Sequence, residues 1–185
     1  TVLEINLNAL VHNLNYFRSK LKPSTKVMVM VKALSYGSGT FEIANILQYQ
    51  RVDYLGVAFA DEGVALREAG IKTPIVVMNP EQNSFDLMIK HQLEPEIYNF
   101  RILKQFRDAV KNTNQKNYPA HLKLDTGMNR LGFVKQDLVL LIEELKQSEN
   151  LKISSIFSHL AGSDEKLHDR FTQKQVALFN DLSAQ

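Results

Sequence analysis

Short apolar runs alternate with amphipathic segments through almost the whole chain, and the alternation does not stop. The pattern predicts strands near residues 26–31, 54–59, 74–78, 94–98, 120–124 and 151–157. Between and after them it predicts helices near 41–50, 61–69, 84–91, 100–110, 135–147 and 164–182. A further helix near 9–21 precedes the first strand, with Asn8 as its expected N-cap and Leu10, Leu14, Phe17 and Leu21 at helical spacing. Gly70 closes the 61–69 helix, and Ser163 or Asp164 is expected to cap the last one. Continuous βα alternation implies a parallel sheet with helices outside it. The strands read as apolar runs, as expected where both faces are covered.

Two α/β architectures compete: an open doubly wound sheet and a (β/α)8 barrel of TIM type. The dinucleotide fingerprint of the first is missing, because Gly37-Ser38-Gly39 runs on into Thr40-Phe41-Glu42. A barrel needs eight units and typically about 250 residues. Six units in 185 residues keep that spacing. The expectation is one barrel domain over residues 1–185, six units of eight, with the last two strands missing.

Composition narrows the function. Lys plus Arg is 22 and Asp plus Glu 20, a net +2, too balanced for a nucleic-acid binder. The chain has no Cys, which removes disulfides, thiolate metal sites and a cysteine nucleophile, and fits a reducing cytoplasm. No apolar run approaches the roughly 20 residues of a membrane span, and no metal-ligand spacing such as H-E-x-x-H occurs. His12, His91 and His168 fall in predicted helices and are expected at the surface.

Ligands in either architecture sit at the carboxyl ends of the strands. Three segments stand there. Lys32 directly follows five apolar residues, so it is partly stripped of water, and a neutral amine is what Schiff-base chemistry requires. Tyr36, Gly37 and Gly39 follow in a loop that opens a helix, a place for an anion such as phosphate. The fifth strand reads His121-Leu122-Lys123-Leu124-Asp125 and turns through Gly127 to Arg130. Its polar face is expected inside, where Lys123 needs a partner or a modification that removes its charge. Arg130 suits bidentate binding of a carboxylate. His159 ends the sixth strand, where Lys32 and Arg130 are expected to converge.

These residues carry a resemblance. Val31-Lys32-Ala33, Tyr36-Gly37 and Gly39 resemble the cofactor-lysine motif of the alanine racemases. Leu122-Lys123-Leu124-Asp125-Thr126-Gly127-Met128-Asn129-Arg130-Leu131-Gly132 is similar to that family's central signature, and Ser158-His159-Leu160-Ala161 with Ser163-Asp164-Glu165 to its third. The opening Glu4-Ile5-Asn6-Leu7-Asn8 matches as well, so the likeness covers the whole chain.

The resemblance implies a fold-type III enzyme that uses pyridoxal 5'-phosphate. It implies a barrel followed by a β-rich domain, a head-to-tail homodimer, and interconversion of L- and D-alanine by two-base proton transfer for peptidoglycan. Carried over residue by residue, Lys32 would bind the cofactor as a Schiff base and act as one acid/base. Tyr36 would bind its phosphate. Arg130 would reach its phenolic oxygen and the substrate carboxylate, and His159 would pack on its ring. Lys123, carbamylated in many members, would fix Arg130. The second base would come from the partner's C-terminal domain, so residues 1–185 alone are expected to be inactive. Ser38 departs from a histidine common in the family. A pyridoxal-phosphate-binding barrel without catalysis, a decarboxylase on the same barrel, and a non-enzymatic scaffold are the other readings. No nucleic-acid or membrane partner and no metal are expected.

Overall fold

The structure is a computed structural model and describes residues 1–185. It divides into two compact units, 1–79 with 87–93 and 80–86 with 94–185.

The first unit opens with α1 (Leu7–Ser19). Its cap is Asn6, not Asn8: the extended Asn6 accepts the Ala9 N–H at 3.1 Å, and Asn8 already lies inside the helix. Three parallel strands follow, β1 (Met28–Met30), β2 (Tyr54–Val57) and β3 (Ile75–Val77). The register sets Met30 against Gly56 and Val57 against Val77. Met30's thioether lies where a side chain at residue 56 would go, which is why glycine stands there. Helices α2 (Phe41–Tyr49) and α3 (Ala60–Glu68) cover these strands through Ile43, Leu47 and Leu66. Arg67 locks the C-terminal end of α3, donating to the carbonyls of Ile71, Thr73, His91 and Gln92.

The division falls inside α4 (Phe85–Lys90) and at the first residue of β4 (Leu93–Ile97). The second unit holds β4, α5 (Phe100–Asn112), β5 (Tyr118–Lys123), α6 (Leu138–Lys146), β6 (Leu151–Phe157) and α7 (Asp169–Ser183). β4 pairs with β5 and β5 with β6, all parallel, with a register shift at Ala120/His121. Phe106 is fully buried, edge-on to Phe85 at 5.1 Å and Tyr118 at 5.5 Å. Phe106→Ala is expected to cost about 3–5 kcal/mol of stability, read as a lower urea midpoint.

The α/β expectation stands, with two corrections. β1 is half-buried throughout and β6 alternates buried or partly buried with exposed residues, so neither is covered on both faces. β1 pairs with β2, and β6 with β5, each on one side. The last helix begins at Asp169, after a 3-10 turn at Lys166–His168, and neither Ser163 nor Asp164 caps it. Gln175 of that helix, fully buried, accepts the Ala161 N–H and donates to the His159 carbonyl through its side chain. That ties residues 159–161 against the flank of α7. No helix is long and apolar enough to cross a membrane.

Candidate active site

In the first unit the chain leaves β1 through the buried Val31 and reaches Lys32. The next four residues all take left-handed conformations: Ala33 (φ 51°), Leu34 (55°), Ser35 (51°) and Tyr36 (56°). This is one turn of left-handed helix made of L-residues, not the glycine loop read from the sequence. Gly37 and Gly39 also have positive φ, at 89° and 91°. Each such non-glycine residue costs roughly 1–2 kcal/mol, so other contacts must hold the turn. Several are its own: the Ser35 N–H donates to the Val31 carbonyl at 3.1 Å, the Ser38 N–H to the Ser35 carbonyl at 3.2 Å and the Gly39 N–H to the Leu34 carbonyl at 2.9 Å. Another comes from α3. Glu62 Oε1 accepts the Ala33 N–H at 2.7 Å, while Oε2 accepts the Ala58 N–H at 2.6 Å.

Glu62 thus fastens the residue after Lys32 to the start of α3. It stands third in that helix, where glutamate commonly reaches back to free amides. That signal is present in the sequence. Glu62→Ala is expected to lower stability by about 2 kcal/mol, since charged hydrogen bonds are worth roughly 1.5–3. Faster hydrogen exchange at the Ala33 amide is the local check.

Lys32 is half-buried and makes no salt bridge. Tyr36 is 68% exposed. The Ser35 hydroxyl is buried without a partner. An amine, a phenol and an unpaired hydroxyl therefore share one turn at the carboxyl end of β1.

The second unit carries Lys123, Arg130 and His159. β5 alternates as expected, and its polar side chains are buried, His121 fully and Lys123 to 9% exposure. His121 sits between Ser155 Oγ at 2.6 Å and Glu94 Oε2 at 2.7 Å. Lys123 Nζ lies 3.4 Å from Glu96 Oε1 and 4.5 Å from the centre of the Phe157 ring. The partner that a buried lysine requires is thus a carboxylate from β4. Burial raises the Glu96 pKa above the ordinary carboxylate value, and the charges of Lys123, Arg130 and His121 pull it back part of the way. An acid with a raised folded pKa contributes most stability below its ordinary value and loses it as pH rises through the raised one. Glu96→Gln should therefore gain in Tm relative to wild type as pH rises from about 4.5 through that window.

After β5 the chain closes a loop on itself. Asp125 N–H donates to the Phe133 carbonyl and Phe133 N–H to the Lys123 carbonyl, both at 2.9 Å. Asp125 Oδ1 accepts the N–H groups of Gly127 and Asn129 at 2.8 and 3.1 Å. Arg130 projects from this loop, exposed, beside Tyr98 and Asn99 in a 420 Å³ hollow. Thr126 and Ser158 share a hydrogen bond at 2.7 Å, and Gln175 reaches Thr126 at 3.3 Å. His159, exposed, follows β6 and is tied through its carbonyl to Gln175.

Every residue singled out for chemistry thus lies at or just beyond the carboxyl end of a parallel strand, Lys32 and Tyr36 in one unit and Lys123, Arg130 and His159 in the other. The sequence reading missed Glu62, Glu96 and Gln175. Glu94 and Glu96 alternate with apolar residues as His121 and Lys123 do, a matching pattern on the neighbouring strand. Nothing local marks Gln175.

Residues 5–185 match the family described as alanine racemase, N-terminal domain. The alanine racemase of Thermodesulfovibrio yellowstonii is 35% identical over 182 residues, 97% of this chain and 48% of its own length. An amino-acid racemase of Enterococcus faecalis is 35% identical over 182 residues, 96% of this chain and 24% of its own. Among solved structures, alanine racemase from Clostridium difficile 630 superposes with a TM-score of 0.91 at 29% identity, covering 100% of this chain and 50% of that one. Alanine racemase from E. faecalis gives 0.86 at 26% identity, covering 97% and 49%. The chain spans about half the length of most of these relatives.

Proposed function

Because this chain belongs to the alanine racemase family, matching its N-terminal domain, we propose that it is the cofactor-bearing part of an amino-acid racemase that uses pyridoxal 5'-phosphate. The observation that carries the reading is the Lys32 turn. An amine without a salt bridge, a phenol and an unpaired buried hydroxyl on one strained turn fit an aldehyde that carries a phosphate. Strain of this kind persists where the surrounding structure enforces it, and it clusters at ligand sites.

Lys32 would be the covalent anchor and would move a proton at Cα on one face of the substrate. Tyr36 would donate its O–H to the phosphate. Arg130 receives the substrate carboxylate, and the closed 125–133 loop fixes where it stands. His159 would pack on the ring. When bound, the cofactor supplies an electron sink that makes the substrate Cα–H acidic. A proton must return to the opposite face, and that second base comes from a tyrosine of the partner in a homodimer. Residues 1–185 by themselves then bind without racemising. Alanine is the proposed substrate, consistent with the named relatives; the equally similar amino-acid racemase of E. faecalis leaves room for a related side chain. Supply of D-alanine for peptidoglycan in the cytoplasm is the corresponding role.

The test is covalent trapping. The protein is incubated with pyridoxal phosphate, reduced with borohydride and digested, and the labelled lysine is located by mass spectrometry. Label on Lys32 is expected. Scattered label, or label elsewhere, removes the reading.

A further inference from the structure

Gln175 is fully buried, and every hydrogen-bonding group of its amide that must be satisfied is used. Oε1 accepts the Ala161 N–H at 3.0 Å, and Nε2 donates to the His159 carbonyl at 2.9 Å and to Thr126 Oγ1 at 3.3 Å. Glutamate lacks those donors and asparagine is one methylene short. The bonds continue past Thr126 in one direction. The Ser158 hydroxyl donates to the Leu124 carbonyl at 2.8 Å, so in its 2.7 Å contact with Thr126 it accepts. The chain therefore runs from the Gln175 amide through the Thr126 and Ser158 hydroxyls to Leu124. Leu124 and Thr126 flank Asp125, whose carboxylate folds the loop that carries Arg130. One turn earlier on α7 the Phe171 ring lies against Gly127, 3.3 Å from where a Cβ would stand. One face of α7 thus holds the exits of both β5 and β6.

We propose that Gln175 is a positioning residue: it fixes the exit of β5, which carries Arg130, relative to the exit of β6, which carries His159, while touching neither substrate nor cofactor. This rests on the reading that Arg130 and His159 serve a pyridoxal-phosphate site. Both side chains are exposed, so much of their placement comes from the backbone beneath them. Without the amide, the Ala161 N–H, the His159 carbonyl and the Thr126 hydroxyl lose their shared partner. The two exits then shift independently, and a misplacement of about 1 Å can cost roughly 10²-fold in rate.

The test compares Gln175→Met, similar in size but without the amide, with Thr126→Val, which cuts only the arm toward the Arg130 loop. Both are made in the intact protein and assayed with pyridoxal phosphate well below their melting temperatures. Gln175→Met is expected to keep the borohydride label on Lys32 but to lose most of the cofactor's visible circular dichroism, which reports a ring held in one asymmetric setting. Its kcat/KM for alanine should fall roughly 10²-fold. Thr126→Val should keep the dichroism and raise KM about fivefold with kcat little changed. Added to Gln175→Met, it should cost nothing more, because the chain is already cut. A merely structural role lowers Tm but leaves dichroism and KM at wild-type values, and that result overturns the proposal, as does strict additivity of the two changes. If Gln175→Met does not fold, the KM of Thr126→Val decides alone. No label on Lys32 in the wild type would instead defeat the pyridoxal-phosphate reading, so the two failures are told apart.

Discussion

Lys32→Ala in the intact protein is expected to abolish borohydride trapping at this position and to slow racemisation by at least ~10³-fold. One substitution removes two functions, the covalent anchor and the acid/base on one substrate face. Positioned proton transfer alone contributes typically 10²–10⁴-fold. Stability should barely change, because Lys32 is half-buried and makes no salt bridge. The checks are a racemisation assay by polarimetry and a melting curve. Full activity in a well-folded Lys32→Ala protein would overturn the assignment. Lys32→Arg, which keeps a positive charge but cannot form the imine, separates electrostatics from chemistry and should be equally inactive.

Gly132→Ala is expected to be among the most disruptive glycine-to-alanine changes in this chain, because the added carbon would meet backbone rather than a flexible side chain. Gly132 has φ 132°, and a Cβ there would stand 2.5 Å from the Asp125 nitrogen and 2.7 Å from the Leu124 carbonyl carbon. Both are backbone atoms, held by the hydrogen bonds that close the 125–133 loop. Relief requires the loop to open. The cost is expected near 3 kcal/mol, a fall in Tm on the order of 10 °C for a domain of this size. Arg130 rides on the loop, so binding of a substrate carboxylate should weaken as well. Gly70→Ala is the control: its φ is 89° but nothing lies within 4 Å of the added carbon, so only the backbone strain remains. Equal losses at the two positions would show that the close packing at Gly132 is not what matters.

Period and order were legible in the sequence. Apolar runs and amphipathic segments placed all six strands, and the sixth, Leu151–Phe157, agrees at both ends. The three motifs fall where the strand-end rule puts them. What stayed hidden depends on partners distant in the chain. Lys123 announced that it needed a counter-ion, but naming Glu96 requires the register between β4 and β5. The last helix starts at Asp169, past Ser163 and Asp164, and the tie from Gln175 back to residues 159 and 161 spans too much sequence to be read locally. The handedness of the turn after Lys32 has no local signal: Ala33, Leu34, Ser35 and Tyr36 all prefer the opposite hand, and Glu62, 29 residues away from Ala33, helps to impose it.

That turn also alters which positions can vary. Leu34 and Tyr36 are 67% and 68% exposed, and exposed positions ordinarily accept most substitutions. Here the backbone, not the surroundings, does the filtering. Valine, isoleucine and threonine are poorly tolerated at four consecutive sites, while glycine and asparagine relieve strain at each. Three of those sites lie open to solvent. A map of tolerated variants across this chain would therefore show a narrow band of constraint on its surface, invisible to any ranking by burial.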